Sequence, residues 1–183
     1  MTARDVIAAM LAIAAPGAVG VSASCAGGGA SNGRQQRGDM SKEANEQLRQ
    51  VSAHPALEIL IRTGTQHWAQ GQIELVVHGD GRVAVTQRQA TGTASFAGQL
   101  TRGELDAFGQ ALYAHRFTAA RSSAPTREPG DTPVLLQLGG GGEVRFAAQS
   151  WDADRDADPD LHAILRAAEQ LVHRVSAGKL GQP

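Results

Sequence analysis

The sequence predicts an α+β domain: an antiparallel sheet in the order strand, hairpin, strand, helix, hairpin, helix, with two helices packed on one face. Three observations carry that expectation. Between Gln72 and Gln87 apolar residues alternate on both sides of Gly79-Asp80-Gly81, the period of a β-hairpin with one buried face. From Leu100 to Leu105 the chain carries the reciprocal Thr101/Glu104 cap of a helix start, and Phe108 and Leu112 follow at helical spacing. Asp158-Pro159-Asp160 then opens a second apolar stripe with cap, first-turn proline and early acid in their preferred places. Strands joined by short turns run antiparallel, and two amphipathic helices each need an apolar surface, so both cover the same side of the sheet.

The 183 residues fit one ordinary domain plus some unstructured chain. Met1 to Asp5 holds Arg4 and the terminal amine, and Val6 to Val21 is apolar apart from Gly and Pro, as in a signal peptide spanning residues 1–24. Pro16-Gly17 interrupts this run, which is too short for a comfortable membrane span of about 20 residues. Ser22-Ala23-Ser24 leads into Cys25, the one cysteine of the chain, and the stretch resembles a bacterial lipoprotein signal in which that cysteine is lipidated. Ser22 stands where such signals usually carry Leu, so cleavage after Ala23 with a free Cys25 is the competing reading. Residues 25–54 then read as a flexible tether. Gly, Ser, Asn, Gln and Arg dominate it, and a helix over Ser41 to Val51 would have only Leu48 and Val51 as anchors.

The folded domain is expected over residues 55–178, with residues 179–183 as a tail. Leu57 to Ile61 is the first strand, and Thr65 to Gly71 is a loop that carries Trp68. In the main hairpin a three-residue loop with Gly81 left-handed pairs Val77 with Val83, Leu75 with Val85 and Ile73 with Gln87, which keeps the large apolar residues on one face. A two-residue turn would split them between the faces. Thr93 to Gln99 continues the meander, and the first helix runs to His115. Thr118 to Thr132, with Pro125, Pro129 and Gly130, reads as a mobile surface loop. Val134 to Leu138 and Glu143 to Ala148 form a second hairpin around Gly139 to Gly142. The last helix buries Leu161, Leu165, Ala168, Leu171, Val172 and Val175 and ends at Gly178.

Ile59 to Gly64, the hairpin end His78-Gly-Asp-Gly81 and the helix opening Leu100 to Leu105 together resemble a family of uncharacterised bacterial envelope domains, often lipoproteins. The resemblance covers Leu57 to Val175 and implies an envelope location but no activity. Members commonly carry two cysteines after the first strand, where this chain has Thr65 and Ala69. A fainter similarity of element order is to emfourin-type metallopeptidase inhibitors.

The chain has no G-x-S-x-G elbow, phosphate-binding P-loop, H-E-x-x-H pair or dinucleotide fingerprint. A net charge of -1 without a basic block argues against nucleic acid as a partner. His162 and His173 are too far apart on the last helix to share one turn, so they suggest no metal face. Trp68 and Trp151 sit just beyond strands, either as plugs at the end of the core or as exposed binding anchors. Asp152, Asp154 and Asp156, continued by Asp158 and Asp160, have the alternation of a calcium loop. Ala157 and Ala163 replace its turn glycine and bidentate Glu, however, and Arg155 opposes a cation, so a solvated acidic loop is the competing reading. The expected protein is therefore a lipid-anchored cell-envelope protein, facing the periplasm or exterior, with a non-catalytic protein-binding module and no required cofactor. Secretion without an anchor, a small envelope hydrolase with an unrecognised site, and a protease-inhibitor-like domain are its alternatives.

Overall fold

A computed structural model of the chain describes residues 42–67, 69–123 and 131–180. The expected signal peptide, Cys25, the tether as far as residue 41, Trp68 and the loop section with Pro125, Pro129 and Gly130 lie outside the described residues.

Six antiparallel strands form one sheet: β1 (Leu57–Thr63), β2 (Gln72–His78), β3 (Arg82–Gln89), β4 (Gly92–Gln99), β5 (Pro133–Gly140) and β6 (Glu143–Trp151). Their order across the sheet is β4-β3-β2-β1-β5-β6. The β2–β3 register is the expected one: Val77 faces Val83, Leu75 faces Val85 and Ile73 faces Gln87. Gly81 has φ +89° and donates its N–H to the His78 carbonyl at 2.9 Å, so the turn closes in the left-handed conformation that selected a glycine. β1 pairs with β2 on one side and β5 on the other, which makes the first strand the middle of the sheet. The apolar pattern gave strand existence and facing but not this order.

Ile59, Ile61, Leu75, Val77, Val83, Val85, Val134, Leu136 and Leu138 form the buried face of the sheet. Two helices cover it, α2 (Arg102–Ala114) and α3 (Pro159–Val175), after a short helix α1 at residues 42–47 that runs on as the 3-10 turn Leu48–Ala53. α2 starts with the expected capping box. Thr101 Oγ1 accepts from the Glu104 N–H at 3.3 Å, and the Thr101 N–H donates to Glu104 Oε2 at 2.8 Å. Asp158 caps α3 by accepting from the N–H groups of Asp160 and Leu161. Buried Leu161, Leu165, Ala168, Leu171 and Val172 follow the expected stripe, which also takes in Ile164, whereas Val175 is only half-buried. Arg116 and Asp160 join the C-terminal end of α2 to the first turn of α3 through contacts of 2.7 and 2.9 Å.

Among the described residues no helix lies on the outer face. It carries Glu74 between Arg62 at 3.7 Å and Arg88 at 3.4 Å, and the pair Glu58 and His78 at 3.6 Å.

Three expectations are corrected. Residues 42–54 are part of the folded unit and not of the tether, because Ala44, Leu48 and Val51 are buried in the main core. Their partner is α2, on which Gly109 leaves a notch. A Cβ there would lie 2.4 Å from the Leu48 carbonyl oxygen and 2.3 Å from Val51 Cγ2. The Ser52 N–H and hydroxyl also donate to the Asp106 carboxylate, at 2.9 and 2.8 Å. The second correction concerns the loop after α2, which begins as a 3-10 turn, Phe117–Ala119, with Phe117 and Thr118 buried and Phe117 stacked at a tilt on Phe146, ring centroids 5.8 Å apart. Finally, Lys179 and Leu180, expected as the start of the tail, belong to a turn that folds back after α3. Buried Ser176 accepts from the Leu180 N–H at 2.9 Å, and Leu180 packs on the core.

Candidate functional site

A cleft of about 830 Å³ opens at one end of the sheet, between the buried sheet face and α3. Its apolar lining comes from Ile61, Ile73 and Leu75 on the sheet, Leu165, Ala168 and Val172 on α3, and Leu180 from the fold-back turn. That volume lies within the ordinary range for a ligand or anchor-residue pocket, about 300–1,000 Å³. Two local devices set its mouth. The β1–β2 loop is held over the sheet end by side chains of β3, since Gln87 Nε2 donates to the Gln70 carbonyl at 2.7 Å and Gln89 Nε2 to the Ala69 carbonyl at 3.1 Å. The Ser176 turn carries Lys179 to the rim and Leu180 to the apolar floor.

The charges around the mouth are mixed. Arg155 Nη2 donates to Glu169 Oε1 at 2.5 Å, and Arg155 Nε lies 3.8 Å from Asp152 Oδ1. Lys179 lies 5.8 Å from the Phe96 ring, and no ion pair ties it to another described residue. Two acids and two cations around an apolar floor suit a partner that inserts apolar groups and meets the rim with polar ones. Among the described lining residues there is no Ser, Cys or His.

The acidic loop is built differently from a calcium loop. Residues Asp152–Asp156 form a 3-10 turn. Asp154 Oδ2 accepts from the Ser123 hydroxyl at 2.5 Å, the Ser150 hydroxyl at 3.0 Å and the Trp151 N–H at 3.2 Å. Asp152 faces Arg155, and Asp158 caps α3. The carboxylates point to different partners, and among the described residues no three His, Cys, Asp or Glu are gathered to hold a metal ion. Neither is Asp154 a solvated acid, because it fastens the loop after α2 to the end of β6. Trp151 is half-buried at that strand end, opposite Pro133.

Sequence reasoning found Asp152 and Arg155 as part of the acidic run. It missed Gln87, Gln89, Glu169, Lys179 and Leu180, which come from three separate places along the chain and share no spacing that marks them. The signal that existed was the pair of glutamines at the end of a strand where its apolar alternation stops. No protein-family model matches the chain, and no curated protein matches it.

Proposed function

We propose that the protein is a lipid-anchored envelope protein, held at Cys25, whose α+β domain is a non-catalytic module that binds another protein through the cleft beside α3. The observation that carries the binding reading is the cleft itself, an apolar floor of Ile73, Val172 and Leu180 inside a rim of Asp152, Arg155, Glu169 and Lys179. Protein interfaces have this layout, with a desolvated apolar anchor surrounded by polar contacts. Lys179 is the rim charge available to a partner carboxylate. The anchor reading rests on the apolar run before Cys25 and on the small residues that adjoin it. A hydrolase built on Ser, Cys or His finds none of them among the described lining residues.

The full chain recovered from its membrane, with and without Lys179→Glu and Gln70→Glu together, tests the module, since both side chains line the cleft and both are exposed. The unaltered chain should retain a partner from envelope extract that the double variant loses while its melting temperature stays within about 3 °C. Identical retention by both would rule out the cleft as the binding site. For the anchor, mass spectrometry of the mature N-terminus should find acylated Cys25, and Cys25→Ser should release the protein from membranes or stop its processing. A mature chain starting at Ser24 with an unmodified thiol would replace anchoring with secretion.

A further inference from the structure

The two edges of the sheet are finished in opposite ways. β6 is guarded, since its pairing with β5 is interrupted by a register shift at Leu138/Gly139 and it carries Glu143 and Arg145. The chain after α2 also takes up backbone groups on its outer edge. The Ser123 N–H donates to the Gln149 carbonyl at 2.8 Å, and the Gln149 N–H donates to Ser122 Oγ at 3.1 Å. β4 has none of these devices. Gly92–Gln99 reads GTASFAGQ, without a charge or a proline, and pairs with β3 in unbroken register from Arg82↔Gln99 to Gln89↔Gly92. Every second residue of an edge strand turns its N–H and C=O away from its neighbour, and in water such a row is a template for another strand. Thr93, Ser95, Ala97, Gly98 and Gln99 are exposed, and no backbone hydrogen bond reaches that side of β4 from another described residue.

We propose that β4 is a self-association edge, at which a second copy of this chain adds its own β4 antiparallel across a two-fold axis and joins two sheets into one. The strand is suited to its own copy. An antiparallel pair centred on Ser95 sets Ser95 against Ser95, Thr93 against Ala97 and Phe96 against Ala94 of the second copy. The one large side chain then meets a small one on the helix-covered face, twice by symmetry, and no charges are opposed. Phe96 is half-buried in the single chain, with Lys179 over its ring, so a neighbouring Ala94 would cover its open edge. A seam of one strand pair is small, and its dimer should dissociate in the micromolar range or above.

Sedimentation equilibrium of the full chain in detergent, from micromolar to millimolar, tests this with three variants. The unaltered chain should shift from monomer to dimer with rising concentration. Ser95→Lys places two ammonium groups opposite each other and should weaken the dimer by about tenfold or more. Ser95→Glu should do the same, and mixing the two variants should restore a dimer that neither forms alone. Thr86→Lys, on β3 beside Ser95 but away from the edge, should leave association unchanged. A chain that stays monomeric at millimolar concentration would overturn the proposal. So would a dimer that Ser95→Lys leaves intact, or a Lys/Glu mixture no more associated than its components.

Discussion

Gly109 occupies the middle of α2, where glycine costs about 1 kcal/mol of helix stability relative to alanine, and its place is explained by the Leu48 carbonyl and Val51 Cγ2 that take the space of its missing side chain. Gly109→Ala should therefore destabilise by about 1–3 kcal/mol despite the better helix former, because α1 must move off α2. Urea midpoints check the sign, since a gain would mean that the notch is not required. Asp154 makes a second case at this scale. Its carboxylate accepts hydrogen bonds from three described groups, so Asp154→Ala should cost about 1–3 kcal/mol by leaving the Ser123 and Ser150 hydroxyls and the Trp151 N–H to find other partners. As a purely solvated acid its removal would be nearly neutral, and one thermal melt separates the two. Neither role was legible in the sequence. A helical glycine looks like a propensity defect, and an acid among five alternating acids does not reveal which one is turned inward.

At the scale of elements, legibility followed locality. The β2–β3 register could be read because the apolar period and the Gly79-Asp80-Gly81 turn lie within one short stretch and agree. Both long helices could be read because their caps and stripes are also local. α1 could not be read, because two or three anchors are too few for a helix judged alone, and the partner surface that compensates is supplied by α2, some 60 residues away. The facing of the sheet gives the sharpest test. Phe108 is buried on the inner face of α2, whereas Thr86 lies on the outer face of the sheet, so Phe108→Ala should cost about 3–5 kcal/mol, while Thr86→Ala should stay within about 0.5 kcal/mol. Equal shifts in denaturation midpoint would mean that the covered face is misassigned.

At the scale of the whole molecule, Asp80, Glu104, Asp106 and Asp160 lie below the ordinary carboxylate range. The Arg82 backbone N–H holds Asp80, the Thr101 N–H holds Glu104, the Ser52 N–H holds Asp106 and the Arg116 guanidinium holds Asp160. The folded chain thus binds fewer protons than the unfolded one in this range. The stability it gains is complete above the ordinary carboxylate values and is lost as pH falls through them towards the depressed ones. Melting temperature should be level from neutrality to about pH 5 and then drop. Asp106→Asn should start lower and show a shallower acid limb, and a slope unchanged from the parent would remove Asp106 from this set. The cleft is the part of the molecule least legible in the sequence, because it is assembled from strand ends, a helix flank and a fold-back turn that only the sheet order brings together. α1 has a mechanical consequence. It is the first described element that load travelling down the chain from the N-terminal side would meet, ahead of β1. A pull from that side would draw Leu48 and Val51 out of the Gly109 notch and part Ser52 from Asp106 while β1 stays laced to β2 and β5 along both flanks. Under such a pull the domain should yield before it breaks, the clasp slipping first with the sheet and its cleft left whole behind it.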